Sequence, residues 1–207
     1  PIIAGRDVPA DAVDLAMPLG PGTYLVISGG STETINTHLA TLELERARPY
    51  RGQSHAVDII GIDAWGFHAD GVAPRDPKLY RIYGVDVLAP CAGKVVLRID
   101  GLPDMQVPEG DREHMLGNGA MLACGDVFVL LAHFSPGSVA VALGDEVTIG
   151  QLLGRVGNTG NSNEPHLHIH VQRGMPETAP ISGEPAWFTI EGRFLVRNQV
   201  LTVEGRS

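Results

Sequence analysis

Histidine is the residue whose placement in this 207-residue chain points to chemistry, and it occurs at positions 38, 55, 68, 114, 133, 166, 168 and 170. Three of these lie in Pro165-His166-Leu167-His168-Ile169-His170. In a strand, side chains at i, i+2 and i+4 line one face. The three imidazoles therefore project together, while Leu167, Ile169 and Val171 turn toward a core. Adjacent imidazoles on one strand can hold zinc, or one can hold it while its neighbour faces the reacting water. His133 closes the apolar run Phe128-Val129-Leu130-Leu131-Ala132, and a histidine on the rim of a buried strand is a candidate acid, base or ligand. Asp58 interrupts Ala56-Val57-Asp58-Ile59-Ile60, where an ionised carboxylate requires a partner or a metal. His68 and His114 stand in polar loops and read as surface residues.

Other chemistries find no motif. The chain has no H-E-x-x-H, so a helix-borne zinc site with its glutamate base is excluded. It has no G-x-S-x-G elbow, no Walker loop, and no G-x-G-x-x-G after a strand. Gly157-Asn158-Thr159-Gly160-Asn161-Ser162 lacks a lysine and leads into a strand, which excludes a phosphate cradle.

The elements that must position these residues are short and extended. Strands are expected over 23–28, 56–62, 85–90, 94–99, 120–123, 127–133, 138–143, 151–156 and 166–172, with a closing hairpin within 187–203. A short helical turn is expected within 37–47. Loops span 63–79 and 100–119. Strands recurring at short spacing between turn signals, with no sustained 3.6-residue period, indicate an all-β sandwich or barrel. No linker or internal repeat divides the chain, so residues 1–207 read as one domain, with 1–20 as a weakly patterned N-terminal extension.

Composition narrows the class further. Apolar residues make up 43% and charged residues 19%, which excludes a disordered tail. The 26 glycines and 15 prolines call for many turns. A formal charge of −9 makes nucleic acid a poor partner and argues against a polybasic membrane anchor. No run approaches the roughly 18 apolar residues that span a bilayer. No signal peptide is visible, but the chain starts at Pro1 rather than Met, so a leader or tether could lie outside it. Cys91 and Cys124 are too few for a disulfide scaffold or a cysteine zinc site. Two small buried thiols is the simpler reading, with one bridge the alternative.

The segment Gly144-Asp145-Glu146-Val147 through Gly150-Gln151-Leu152-Leu153-Gly154, Val156-Gly157-Asn158-Thr159-Gly160-Asn161-Ser162 and Pro165-His166-Leu167-His168 resembles the lysostaphin-type zinc metallopeptidases. Upstream, Tyr83-Gly84-Val85-Asp86-Val87-Leu88-Ala89-Pro90 and Leu131-Ala132-His133 resemble further segments of that family. The resemblance covers roughly residues 20 to 200. It implies a fold of antiparallel sheets forming a sandwich or half-open barrel, of duplicated hybrid motif type. It also implies a peptidoglycan endopeptidase with one zinc held by His, Asp and His, and two further histidines flanking the water. Carried over, His168 is the second histidine ligand, Asp58 the carboxylate ligand, and His133 and His166 the catalytic pair.

The first ligand departs from the family's H-x-x-x-D pattern. Position i−4 to Asp58 is Ser54, and the neighbouring histidine is His55 at i−3. In a regular strand His55 would face away, and only a bulge could turn it to the metal. Gly29-Gly30 followed by Asn36-Thr37-His38 resembles a divergent branch in which an N-x-H histidine supplies the ligand. His38 is therefore preferred, with His55 the runner-up. His170 stands where the family often carries an acid and is a candidate for holding His168 or a carboxylate in place from behind. The family's Y-x-H tyrosine is replaced here by Leu131.

The resemblance implies zinc-dependent hydrolysis of peptide bonds in bacterial cell-wall cross-links, in the cell envelope or periplasm. One alternative is an inactive relative acting as a regulatory or cell-wall-binding module. Another is a biotinyl- or lipoyl-like carrier barrel, suggested by Val147-x-x-Gly150-Gln151 but lacking a lysine at a hairpin tip. The negative charge favours a soluble muropeptide over the polyanionic wall unless another segment supplies targeting. No membrane contact is expected from this chain, and its oligomeric state is not legible. Loops 63–79 and 100–119 are expected to choose the bond.

Overall fold

The structure, a computed structural model, describes Asp7 and residues 9–205. Its strands in chain order are β1 (Val13–Leu15), β2 (Gly22–Ser28), β3 (Val57–Gly61), β4 (Asp86–Leu88), β5 (Gly93–Ile99), β6 (Asn118–Cys124), β7 (Val127–Phe134), β8 (Glu146–Val147), β9 (Leu152–Arg155), β10 (Leu167–Arg173), β11 (Glu184–Ala186), β12 (Phe188–Ile190) and β13 (Val200–Val203). Among the described residues the fold is all-β, with its sheets mostly antiparallel and no closed barrel. The main sheet runs β13-β2-β3-β10-β7-β6-β5-β8, and β11 adds to the far end of β10. Two small sheets, β1-β12 and β4-β9, complete the fold.

Alternation decides which face of the main sheet is which. Val57, Ile59, Val129, Leu131, Leu167, Ile169 and Val171 point into the principal core, together with Phe134, Leu153, Phe188 and Ile190. The opposite face carries Asp58, His168 and His170, followed by a smaller apolar cluster of Met121, Leu130, Ala132 and Ile181. A one-residue slip would exchange the two sets, so burial of the apolar set also determines where the histidines point.

Residues 37–55 fold back over this second face. They form 3-10 turns at Thr37–Leu39 and Glu45–His55 around one α-helical turn, Ala40–Glu43. The expected helical turn within 37–47 is thus present, but Pro49 and Gly52 help keep the continuation irregular.

Some expected strands differ. Residues 138–143 form no ladder, although Val139 and Val141 are buried and Ala140 N donates to the Leu153 carbonyl at 2.8 Å. Alternating hydrophobicity there reports burial rather than pairing. Residues 187–203 are not a hairpin. β12 lies parallel to β1, and β13 pairs with β2. These partners are remote in sequence, so no local pattern could reveal them. Residues 13–19 also join the body of the fold, with Leu15 and Leu19 in the principal core. Cys91 and Cys124 are joined as a disulfide with Cα atoms 6.1 Å apart, rather than standing as separate thiols.

Candidate active site

Two strands carry the centre of the site, because β3 and β10 pair with His168 directly opposite Asp58. His168 Nδ1 lies 2.9 Å from Asp58 Oδ1. Beside them β2 bulges: Val26 pairs with Ile59 and Ser28 with Asp58, so Ile27 is the extra residue. The chain then turns at Gly29-Gly30 and brings Asn36 and His38 back above Ser28. Gly30 takes φ +98°, a conformation that glycine adopts without a Cβ penalty.

Asn36 anchors this return. It is fully buried, and its Nδ2 donates to the carbonyls of Gly30 (3.0 Å) and Ala56 (3.1 Å). Those two acceptors set the amide orientation, so Oδ1 must accept. It receives the His38 backbone N–H at 3.1 Å, and His38 Nδ1 lies at the same distance. The Nδ1 proton is thereby committed to Asn36, and Nε2 presents a lone pair to Asp58 Oδ2 at 3.3 Å. Burial lowers the His38 pKa to about 4 against the pull of Asp58, so this imidazole is neutral near pH 7.

His133 reaches the cleft through a second bulge. Asn118 pairs with Phe134 and Gly119 with Ala132, leaving His133 unpaired in the ladder with φ +66°. A non-glycine residue in this region costs about 1–3 kcal/mol and marks a position held by its surroundings. Here His133 N donates to the Leu116 carbonyl (3.2 Å), and Nδ1 donates to the Thr159 carbonyl (2.8 Å). Nε2 is left as the basic atom. Burial, reinforced by neighbouring His166 and His168, holds its pKa well below the usual histidine value.

The Gly157–Ser162 turn orients His166 in the same manner. Asn158 Nδ2 donates to the Met105 carbonyl, and Asn158 Oδ1 accepts from Ser162 Oγ at 2.7 Å. His166 Nδ1 lies 2.8 Å from the Glu164 carbonyl and 3.1 Å from Ser162 Oγ. Its proton is committed there, so Nε2 faces Asp58 Oδ1 at 3.7 Å. The turn is tied to loop 100–117 through Asp104, which accepts from Asn158 N and Tyr83 Oη, each at 2.7 Å.

His38, Asp58, His133, His166 and His168 all line one cleft of about 320 Å³, with Ile27, Gln53, Met115, Asn161, Asn163 and Glu164. Ligand atoms of His38, Asp58 and His168 lie within 4.8 Å of one another, as do those of His133, His166 and His168. Burial alone would raise the Asp58 pKa, but the surrounding imidazoles of His38, His166 and His168 outweigh it, and the carboxyl stays below its usual range. Two imidazole lone pairs therefore face an ionised carboxylate. Such a donor set repels itself unless a cation lies between its members, and neutral imidazoles with a carboxylate match the ligand chemistry of zinc.

The remaining histidines lie elsewhere. The His55 ring stacks on Trp187, with centroids 3.4 Å apart and 9° between planes. It ends a 3-10 turn instead of lying in a bulged strand, and the cleft lining does not include it. Ser54, four residues before Asp58, is buried and bonds to Thr41 Oγ1 at 2.6 Å. His170 is fully buried below the cleft, its Nδ1 3.1 Å from His168 Nε2. His68 and His114 are partly exposed and pair with Glu164 and Asp111. Loop 100–119 reaches the cleft through Met115, whereas no residue of loop 63–79 lines it and His68 pairs with the lining residue Glu164. Among the described residues no tyrosine lines the cleft.

The sequence profile of peptidase family M23 matches residues 79–180. This matched segment, about half of the chain, belongs to the family. The matched residues include His133, His166 and His168, while His38 and Asp58 lie outside them. Among solved structures, Csd3 of Helicobacter pylori is similar over 94% of this chain and 36% of its own, at 16% identity and TM-score 0.45. A zinc-containing peptidase from Vibrio cholerae is similar over 75% of this chain and 37% of its own, at 17% identity and TM-score 0.41. Lysostaphin from Staphylococcus simulans is similar over 55% of this chain and 45% of its own, at 24% identity and TM-score 0.34. The chain spans less than half the length of each of these structures. A search of curated protein sequences finds no match. No helix among the described residues is long and apolar enough to cross a membrane.

Proposed function

We propose that this M23 chain is a zinc-dependent endopeptidase that hydrolyses peptide bonds in bacterial peptidoglycan or its muropeptide fragments, in the cell envelope or periplasm. The observation that carries this reading is the half-buried Asp58 carboxylate facing imidazole nitrogens of His38, His166 and His168 in one open cleft. His38, Asp58 and His168 would hold zinc. When bound, zinc supplies Lewis acidity, making water nucleophilic near neutral pH and polarising the substrate carbonyl.

The chain's own residues supply the rest. His133 and His166 each commit Nδ1 to a backbone carbonyl, so each presents Nε2 to the cleft. One can accept the proton of the attacking water, and the other, once protonated, can donate to the oxyanion or the leaving amine. Asp58 contributes negative charge that favours a dication and opposes its loss. His170 would hold His168 from behind through its contact with Nε2.

Metal analysis of the purified chain, together with cleavage of purified muropeptides, tests the reading. Wild type and His55→Ala are expected to bind about one zinc, matching three protein ligands and an open position, while His38→Ala loses it and its activity. Zinc lost only with His55→Ala would move the first ligand. No zinc and no cleavage in any form would leave a non-catalytic module of the family.

A further inference from the structure

A second pocket adjoins the cleft and belongs to no feature described above. It has a volume of about 280 Å³, and its walls are mainly Tyr50, Ile99, Leu102, Leu116 and Ile181. Met115 lines both this pocket and the histidine cleft. Its floor continues the small apolar cluster on the histidine-bearing face, where Tyr50 and Leu116 pack against Met121, Leu130, Ala132 and Ile181.

The shared wall is held by the site itself. His133 N donates to the Leu116 carbonyl, and Asn161 N donates to the Met115 carbonyl, both at 3.2 Å. On the far side, Asn118 brackets Leu102: its Oδ1 accepts from Leu102 N at 3.0 Å, and its Nδ2 donates to the Leu102 carbonyl at 2.9 Å. The pocket is thus built from segments with fixed backbones, one of which also orients His133.

We infer that this pocket is a specificity subsite that takes an apolar side chain of the peptide whose scissile bond lies over the histidine cluster. The inference rests on the peptidase reading and adds the chemistry of the residue beside the bond. The volume is just below the roughly 300–1,000 Å³ of ordinary small-molecule sites, which suits a peptide side chain better than a cofactor. Glu113 and His114 also line it, so two polar side chains stand among mainly apolar ones. Its volume of about 280 Å³ suits one side chain better than the broad face of a second copy of the chain. The strongly exposed hydrophobics Trp65, Phe67, Val72, Leu143, Ile149 and Val200 all lie outside its lining. Apolar burial in such a pocket discriminates about 10- to 200-fold between side chains.

The test uses zinc-supplemented protein and quenched-fluorescence pentapeptides in which each position in turn is Gly, Leu or Glu. One position flanking the cleaved bond is expected to favour Leu over Gly at least about tenfold in kcat/KM. Leu102→Trp, which fills the pocket, should collapse that Leu-to-Gly ratio toward unity, and Leu116→Ala should move it toward larger side chains. Methyl NMR of the same protein gives an independent readout, with Leu102, Leu116 and Ile181 shifting on addition of Leu peptides but not Glu peptides.

Cleavage without a Leu preference, or with one that Leu102→Trp leaves intact, overturns the subsite while the peptidase reading stands. Methyl shifts without cleavage of peptides or muropeptides support the pocket and defeat the peptidase reading. Neither cleavage nor shifts defeats both. Shifts that follow protein concentration without peptide would assign the pocket to a second copy and overturn the inference.

Discussion

Replacing Asn36 by alanine separates the orientation of a ligand from the mere presence of one. Asn36 is fully buried, and its side chain meets four partners at 3.0–3.1 Å: the Gly30 and Ala56 carbonyls, His38 N and His38 Nδ1. Each polar group left buried without a partner costs about 1–3 kcal/mol. The loop lies at the cleft edge, where water can satisfy part of this demand. The expected loss of stability in Asn36→Ala is therefore about 2–4 kcal/mol rather than the full sum. Zinc affinity should fall separately, because His38 Nδ1 is released and the ring can turn or change tautomer. Losing such an outer partner weakens a metal site about 10- to 100-fold. Asn36→Asp provides the comparison. It keeps an acceptor for His38 Nδ1 but loses the donors to Gly30 and Ala56, so stability falls while most zinc affinity is kept. Urea unfolding in chelator reads stability, and competition with a chromophoric chelator reads affinity. If Asn36→Ala binds zinc within about twofold of wild type, or Asn36→Asp loses as much affinity as the alanine variant, orientation of His38 through Asn36 is wrong.

Three further outcomes follow from the same geometry. His133→Ala should keep about one zinc yet lose roughly 10²–10⁴ in kcat, as expected for loss of a general acid or base; loss of the metal would instead make His133 a ligand. In metal-free protein, burial holds the folded-state His38 pKa at about 4 against 6.5 for a solvated histidine of the unfolded chain. The unfolded chain therefore binds more protons between these values, and stability should fall as pH drops from 6.5 to 4, by up to about 3 kcal/mol from His38 alone. Burial at His133 and His170 acts in the same direction, and denaturant midpoints that rise on acidification across that window would contradict it. Reducing the Cys91–Cys124 bridge, which joins residues 33 apart, should cost about 3–4 kcal/mol on a chain-entropy basis. Zinc affinity measured on the folded chain should not change, because the bridge joins the C-terminal end of β6 to the β4–β5 connection, and neither cysteine lines the cleft.

Much of the site was legible in the residues because strand alternation is a local rule. The spacing of His166, His168 and His170 determined that these imidazoles share a face, and Asp58 stood out as a charge within an apolar strand. The expected β-strands from 23–28 to 166–172 mostly appear, since each is bounded by its own turn residues. Placement of His133 was only half visible: its position at a strand end could be read, but the bulge and positive φ that aim it depend on Gly119 and Leu116 across the ladder. The turn Gly157–Ser162 could be recognised as a motif, yet its role in orienting His166 is set by Met105 and Glu164 carbonyls that carry no side-chain signature.

Tertiary structure alone decided the rest. His38 meets Asp58 because a bulge in β2, a glycine turn and the buried Asn36 return the chain over β3, contacts between segments about twenty residues apart. His55 is closer to Asp58 in sequence but stacks on Trp187, since a 3-10 turn ends there and the strand has not begun. The parallel pairing of β1 with β12 and the bridge between Cys91 and Cys124 likewise join distant segments. Local sequence determines which side chains a strand presents on each face. Which of those faces meet is determined by burial and hydrogen bonding summed over the whole chain, and the distance from His38 to Asp58 is a product of that sum.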